Sequence, residues 1–371
     1  MSRPLTGRAG VGLIGAGVIS SQYLENLTRF ADVEVTFVAD LDQSRAAAQA
    51  AAFGVTGSGG VDELLARDDI DIVLNLTVPA THVEVGRRII AAGKHVWSEK
   101  PVALDHDAAE QLLAEASAAG LRVACAPDTV LGAGIQTALR AIARGDIGEP
   151  LTAVTMFHVP GPEAWHPNPD FLYARGAGPL FDMGPYYITT LVHALGSATR
   201  VQATASTARR MRTIGSGPRV GEQFPVEVPT HHSALIEFAG GASAQSTFSF
   251  QHAMPRAGFV EINGTEGTLS LPDPNTFDGD TLLWRSGSSE PEVLEAEGAA
   301  FGRGTGVVEL ARAIRAGEPE RASGRLAAHV LDILLGIRDA ADSGLPVEIT
   351  STAPATVPLP ADWSPASATL V

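Results

Sequence analysis

Residues 9–20, Ala9-Gly10-Val11-Gly12-Leu13-Ile14-Gly15-Ala16-Gly17-Val18-Ile19-Ser20, decide how the chain is read. Ala9 to Ile14 is a short apolar run that stops at Gly15, and residues 18–30 read as a helix. A strand, a Gly-rich turn and a helix form the setting in which G-x-G-x-x-G cradles a pyrophosphate. Gly15 permits the tight turn, and Gly17 lets backbone N–H groups approach phosphate at the helix N-terminus. Ser20 stands where a third Gly or Ala is usual and is small enough for close helix–strand packing. The next strand, Val33 to Ala39, ends at Asp40, 20 residues after Ser20, the spacing at which an acid reaches the adenosine ribose. A carboxylate there pairs with a free 2′-hydroxyl and repels a 2′-phosphate. NAD is therefore expected over NADP, with Arg45 the first cation after the acid.

The alternation continues outward. Gln43 to Phe53 is an Ala-rich helix, Asp71 to Val78 a third strand, Thr81 to Ala92 a helix ended by Gly93, and His95 to Ser98 a short strand. Asp105 to Ala119 reads as a helix and Arg122 to Ala126 as another strand. Nearly continuous apolar strands separated by helices predict a parallel sheet covered on both faces. After Pro150 strands gather: Leu151 to Val159, Val201 to Ser206, Ser233 to Phe238, Ala242 to Phe250, Phe259 to Ile262 and Gly267 to Leu271. One helix, Pro179 to Leu195, interrupts them, and a helical region from Arg325 to Asp342 follows. Residues 207–229 and 285–306, rich in Gly, Pro and polar residues, read as long loops. The expected fold class is α/β: a Rossmann dinucleotide-binding domain at 1–127, then an α+β domain at 128–371 with a large, mostly antiparallel open sheet. The C-terminal helix is free to pack back on the first domain.

Composition narrows the partners. The 371 residues carry 42 acidic against 26 basic side chains, a net charge of −16, and one cysteine. An acidic balance argues against nucleic acid, whose phosphates need clustered Lys and Arg. A single Cys excludes an intramolecular disulfide and Cys-rich zinc sites. Met1 to Gly10 lacks an apolar signal core, and no apolar run reaches the roughly 18 residues of a membrane span. A cytoplasmic protein with no membrane partner is expected.

Several polar residues fall where chemistry is done. Lys100, in Ser98-Glu99-Lys100-Pro101, and Asp128 both follow strands, and ligands in open α/β sheets gather at the strands' carboxyl ends. Asp182 and Tyr186 are four apart and share a helix face, a spacing equally open to a cap and a packed core ring. His158 ends a strand, and Trp165 with His166 offers an aromatic platform and a hydrogen-bond donor, or simply a packed loop. His231 and His232 point to opposite faces of their strand and make poor joint metal ligands, so no metal is expected. Cys125, in an apolar strand, reads as a small core residue.

Together the Gly-rich turn, Glu99-Lys100-Pro101 and the Gly-rich segment running into Asp182-Met183-Gly184 resemble the Gfo/Idh/MocA family of NAD(P)-dependent sugar and inositol oxidoreductases. Thr77-Val78-Pro79-Ala80-Thr81-His82, Ala92-Gly93-Lys94-His95-Val96 and Gly145-Asp146-Ile147-Gly148-Glu149-Pro150 extend the resemblance over nearly the whole chain. It implies that Lys100 is the catalytic lysine, with Glu99 and Pro101 shaping its turn. It also implies a dinucleotide shell of Gly15, Gly17, Val18, Ile19, Asp40, Thr77, Pro79, His82, Glu99 and Lys100. Asp182 matches the family's Asp-x-Gly-x-His pattern, but Tyr186 replaces the His, and Thr189 stands where a second Asp is common. The Asp-Met-Gly-Pro-Tyr-Tyr form resembles a subgroup of the family.

The implied activity is hydride transfer between NAD and a CH–OH group of a sugar, sugar derivative or cyclic polyol. Lys100, Asp182 and Tyr186 are the catalytic candidates; Asp128, His158, Trp165, His166 and Tyr187 are the substrate candidates. A tyrosine, with an ordinary pKa of about 10, needs a nearby cation to act as base, which Lys100 would supply. Alternatives are an NAD-assisted glycoside hydrolase or lyase of the same family, and an NAD-binding protein without catalysis. A homodimer or homotetramer is expected. The substrate is expected to be neutral, because no Arg/Lys cluster marks the site segments, Arg209, Arg210 and Arg212 in the long loop excepted.

Overall fold

In the computed structural model, residues 7–298 and 300–370 are described. The chain divides into two compact units. The first comprises Met1–Gln136, Glu297–Leu331 and Thr356–Val371; the second comprises Thr137–Ala296 and Asp332–Ala355.

Among its described residues the first unit carries six parallel strands: β1 (Ala9–Ile14), β2 (Val33–Ala39), β3 (Gly57–Gly59), β4 (Ile72–Asn75), β5 (His95–Ser98) and β6 (Val123–Cys125). Their order is β3-β2-β1-β4-β5-β6. The direction of winding reverses between β1 and β4, which opens a crevice at their carboxyl ends. All of β1, β4, β5 and β6 is buried, as expected for strands covered on both faces. Crossovers are made by α1 (Val18–Leu27), α2 (Gln43–Phe53), α3 (Val61–Leu65), α4 (His82–Ala91) and α5 (His106–Ala118). Local chemistry starts two of them: Asp42 accepts from the Ser44 and Arg45 amides at α2, and Asp105 from the Ala108 amide at α5.

A further helix, α6 (Ala133–Arg144), runs from the first unit into the second. The second unit's described residues form a nine-stranded sheet and a separate two-stranded ribbon. The large sheet uses β7 (Pro150–His158), β8 (Ala198–Ser206), β11 (His231–Phe238), β12 (Ser243–Ser249), β13 (Arg256–Gly264), β14 (Gly267–Leu271), β15 (Thr281–Arg285), β16 (Glu292–Leu294) and β17 (Val347–Glu348). All its pairings are antiparallel except β7 with β12. One face packs on α7 (Gly178–Leu195) through Phe157, Phe248 and Tyr187; the alternate residues Leu235 and Trp284 point away and are exposed.

Two stretches read as loops from the sequence differ in the structure. Residues 207–229 are ordered as β9 (Met211–Thr213) paired with β10 (Gln223–Pro225), strands too short to show alternation. Residues 285–306 include β16 and the start of α8 (Thr305–Ala316). That helix is bounded by Gly304 and Gly317 and carries no capping side chain, so nothing local announces it. The last helix, α9 (Gly324–Ser343), agrees with the expected helical region.

Long-range polar contacts hold the later segments in the first unit. Asp32, fully buried, accepts from Arg312 Nε at 2.7 Å, from the Thr369 and Leu370 amides at 2.7 and 2.8 Å, and from the Thr369 hydroxyl at 2.6 Å. Burial raises its carboxyl pKa, but these donors outweigh burial and hold it below the ordinary value. The Cys125 amide donates to the Ala322 carbonyl, and Ala124 bridges Ser323, so this segment covers the edge of β6.

His95 makes stability depend on pH. It is buried, its Nδ1 accepts the Arg122 amide at 3.0 Å, and burial with the Arg122 charge lowers its pKa to about 4. The unfolded imidazole takes up a proton near pH 6.5 while the folded one does not, so stability falls as pH drops from about 6.5 toward 4. A His95→Asn variant, which keeps an acceptor without titrating, is expected to lose about 2 kcal/mol less than wild type between pH 7 and 5. Denaturant unfolding at the two pH values measures this; equal losses would place the pH sensitivity elsewhere.

Candidate active site

The carboxyl edge of the parallel sheet is built by four turns. In the first, Gly15 has φ +105°, and a Cβ there would lie 2.6 Å from the Leu76 carbonyl oxygen, so only glycine fits. Gly17 is the N-cap of α1, and a Cβ on it would meet nothing within 4 Å. The first-turn amides of Val18 and Ile19 that follow it have no acceptor within the helix and favour an anion.

Asp40 fixes this turn from the second strand. Its Oδ2 accepts the Ala16 amide at 2.7 Å, and its Oδ1 accepts the Asp42 amide at 2.9 Å and Arg45 Nη2 at 3.0 Å. A cleft of about 370 Å³ opens here, lined by Gly15, Gly17, Asp40, Thr77, Thr81 and Arg88 among others. Its rim carries the exposed apolar side chains of Leu41 and Val78. The volume is that of a small-molecule site, and apolar rims over a phosphate-seeking helix end suit a dinucleotide.

The third turn follows β4. Thr77 Oγ1 donates to Asn75 Oδ1 at 2.6 Å, and Thr81 Oγ1 donates to Thr77 Oγ1 at 2.9 Å; Pro79 is exposed. His82, expected in the cofactor shell, is only 1% exposed. Its ring spans the Pro101 carbonyl at 2.7 Å and the Thr77 carbonyl at 3.0 Å, so it ties two turns together and offers no surface to a ligand.

The fourth turn carries Lys100, half-buried, in a segment whose Lys100–Pro101 peptide is cis. Glu99 supports it from below, accepting the Lys100 amide at 3.1 Å on Oε2 and the Tyr23 hydroxyl at 2.8 Å on Oε1. Tyr23 accepts in turn from Trp97 Nε1 at 3.1 Å. Burial, then the Glu99 charge, pushes the Tyr23 phenol well above its ordinary pKa, so it stays a donor. Tyr23 lies on α1, and so the phosphate-facing helix and the lysine turn are joined by one hydrogen bond. Sequence reading missed it; a hydroxyl on the apolar face of a helix was the available signal.

On α7, Asp182 is half-buried and Tyr186 is 6% exposed, one turn apart. Tyr187 is fully buried, packs edge-to-face on Phe157 and Phe248, and its oxygen accepts the Gly258 amide at 2.8 Å. It is a core residue, and so unsuited to substrate contact. Asp128 likewise is 0% exposed; it accepts the Gly304 and Gly306 amides at 2.9 and 3.1 Å and faces Arg303 at 3.7 Å. The carboxylate anchors the N-terminus of α8, which replaces the expected substrate contact.

His158 stacks on His252 with ring centroids 3.8 Å apart and reaches Thr247 Oγ1 at 2.7 Å. Burial, then His252, His231 and Arg256, lowers its pKa to about 4, so it is neutral at physiological pH. Arg212 is buried and committed to Glu163 and the Pro160 and Phe250 carbonyls, while Arg209 and Arg210 are exposed; they do not converge into a phosphate pocket. Cys125 is buried, and burial raises its thiol pKa well above the ordinary value, so it is no nucleophile. Trp165 and His166 lie together on an exposed loop.

Residues 9–126 match the model described as the oxidoreductase family, NAD-binding Rossmann fold, and residues 135–270 match the GFO/IDH/MocA C-terminal domain. The chain is 30% identical over 267 residues to 1,5-anhydro-D-fructose reductase of Ensifer adhaerens, covering 70% of this chain and 74% of that one. It is 28% identical over 267 residues to inositol 2-dehydrogenase 3 of Saccharopolyspora erythraea, covering 71% and 73%. The crystal structure of an NAD binding oxidoreductase from Klebsiella pneumoniae superposes with a TM-score of 0.81 at 26% identity, covering 93% of this chain and 99% of that chain.

The two glycines of the turn are expected to fail differently. Gly15→Ala introduces a left-handed alanine against a backbone carbonyl and should cost at least about 1–2 kcal/mol of stability. Gly17→Ala should change stability by no more than about 1 kcal/mol yet weaken dinucleotide binding at least tenfold. Thermal melts and calorimetric titration separate the two; normal NAD affinity in Gly17→Ala would exclude the helix end as the phosphate site.

Proposed function

The chain belongs to the Gfo/Idh/MocA family of oxidoreductases, and we propose that it is an NAD-dependent dehydrogenase or reductase acting on a CH–OH group of a sugar, sugar derivative or cyclic polyol. The observation that carries this reading is the carboxyl edge of the parallel sheet, where a phosphate-seeking helix end, the acid Asp40 and the supported Lys100 turn stand on adjacent loops. The sugar and inositol activities of the two curated relatives support the substrate class.

In this reading Gly17, Val18 and Ile19 hold the pyrophosphate through their amides, and Asp40 holds the adenosine ribose. The bound nicotinamide supplies a hydride acceptor or donor at its C4. Lys100 Nζ hydrogen-bonds the reacting oxygen, taking the hydroxyl proton in oxidation or stabilising developing alkoxide charge. Asp182 orients the substrate hydroxyl, and Tyr186 takes the place of the family's usual histidine in passing the proton. The first unit is thus the cofactor-binding domain and the second the substrate-binding and oligomerising one. The outward face of the large sheet, with Leu235 and Trp284 exposed, supports a homodimer or homotetramer. A reducing, cytoplasmic setting suits a chain whose one cysteine is buried. Among the described residues no helix is long and apolar enough to cross a membrane.

Screening sugars and inositols for NAD reduction tests the activity. Lys100→Ala is expected to lower kcat about 10²–10⁴-fold with dinucleotide affinity retained. Tyr186→Phe should lower kcat for oxidation and remove the acidic limb of the pH–rate profile, where a base is lost to protonation; an unchanged profile takes Tyr186 out of the reaction. Aglycone release without net NADH would replace dehydrogenation with NAD-assisted cleavage.

Cofactor choice has its own test. Asp40 sets a carboxylate where a 2′-phosphate would lie, while Arg45 stands ready as its counter-charge. NAD is expected to give the higher kcat/KM, and Asp40→Ser, with Arg45 kept, should shift the NADP/NAD ratio of kcat/KM upward at least tenfold. Preference for NADP in the wild type would overturn the assignment.

A further inference from the structure

The most exposed aromatic side chains of the second unit, Trp165 at 68% and Phe171 at 58%, are neighbours through His166. Trp165 meets the His166 ring edge-to-face at 5.4 Å, and His166 meets Phe171 in the same way at 5.4 Å. Exposed apolar residues scattered singly need no explanation, but a contiguous run of rings does.

The run is held still. At its start, Glu163 Oε1 accepts from the buried Arg212 at 2.5 Å, Glu163 Oε2 accepts the Tyr173 hydroxyl, and the Glu163 carbonyl accepts the Gly215 amide at 2.8 Å. At its end, Arg219 clamps Asp170, the residue before Phe171, with two bonds of 2.7 and 3.0 Å. Both arginines belong to the β9–β10 ribbon and its turn, so residues 163–171 are stapled at each end to a second element. The backbone amides of Trp165 and His166 both donate to the Pro162 carbonyl, at 3.1 and 2.8 Å. His166 Nδ1 accepts the Asn168 amide at 3.0 Å, which puts the neutral ring's proton on Nε2 and makes that atom a donor.

A rigid apolar face bearing one polar donor has a defined chemistry. At about two-thirds exposure Trp165 and Phe171 offer roughly 300 Å² together, well short of the about 800 Å² per partner of a stable protein interface. The area suits one six-membered ring, whose C–H face lies on an aromatic surface while a rim hydroxyl meets a donor. Rigid placement removes the ordering cost of binding.

We propose that Trp165, His166 and Phe171 form a preorganised ledge that binds the C–H face of a polyhydroxylated six-membered ring, so that the protein selects pyranoses and cyclitols over open-chain polyols. Arg212 and Arg219 are positioning residues for that ledge. The proposal rests on the sugar or cyclitol reading above and narrows it to closed rings.

Calorimetric titration of the full-length protein with methyl glucopyranoside, myo-inositol and D-sorbitol, in the presence of NADH, tests it. Binding of at least one ring compound and not of sorbitol is expected, with Trp165→Ala weakening the ring compound at least tenfold while NADH affinity holds. Trp165→Phe should recover most of the affinity, which separates a stacking surface from a merely structural side chain. Unchanged ring binding in Trp165→Ala overturns the ledge, as does a wild type that prefers sorbitol. A changed sedimentation coefficient with unchanged ring binding would assign the patch to contact between copies and also overturn it. Hydride transfer is read separately: NADH formation from sorbitol alone sinks the ledge and leaves the dehydrogenase, whereas ring binding lost in Trp165→Ala without NADH formation does the reverse.

Discussion

The carboxylate of Asp40 joins the loops that follow β1 and β2, accepting the Ala16 amide on one oxygen and the Asp42 amide and Arg45 on the other. Hydrogen bonds to a charged group are worth about 1.5–3 kcal/mol each, so the Gly-rich turn is pinned where it would otherwise be mobile. Everything at the carboxyl edge inherits that position. With the turn fixed, α1 leaves β1 in one direction, its free amides face the cleft, and its Tyr23 reaches Glu99 beneath the lysine turn. The acid proposed to hold the ribose thus helps to build the surface that would receive it.

Buried carboxylates elsewhere in the first unit likewise act by gathering backbone amides. Asp32 and Asp128 are both fully buried carboxylates, and each organises backbone amides: the C-terminal tail in one case, the start of α8 in the other. Their environments differ in sign. Asp32 is met by Arg312 at 2.7 Å and by a hydroxyl, which hold its pKa down; Asp128 has Arg303 no closer than 3.7 Å, and burial drives its pKa up. In the second unit the corresponding device is Arg212, buried against the Tyr173 ring and spanning the Glu163 carboxylate and two carbonyls. It orders a surface loop, where the two aspartates order chain termini and helix ends.

Legibility in the sequence tracked the range of the interaction. Strand β1, the glycine turn and Asp40 are close in sequence, and hydrophobic period and spacing were enough to read them. The alternation through β6 and the strands of the second unit were read for the same reason. Helix α8 was not, because glycines bound it and its start is secured by Asp128 from 176 residues away. The β9–β10 ribbon was read as loop because three-residue strands carry no period. Asp128, Tyr187 and His82 show the complementary error: a polar residue after a strand or beside a motif looks functional, and only burial distinguishes an anchor from a ligand contact.

Sequence alone therefore determined the family, the parallel α/β order of the first half, the strand-rich second half and the positions of Asp40, Lys100 and Asp182. These are properties of short windows, where residue type and spacing already carry the physical constraint. Tertiary structure alone decided which segments complete the first unit, which polar groups are closed off in the core, and that Trp165, His166 and Phe171 form one clamped surface. Those outcomes depend on contacts between residues far apart in the chain, whose energies no local pattern records.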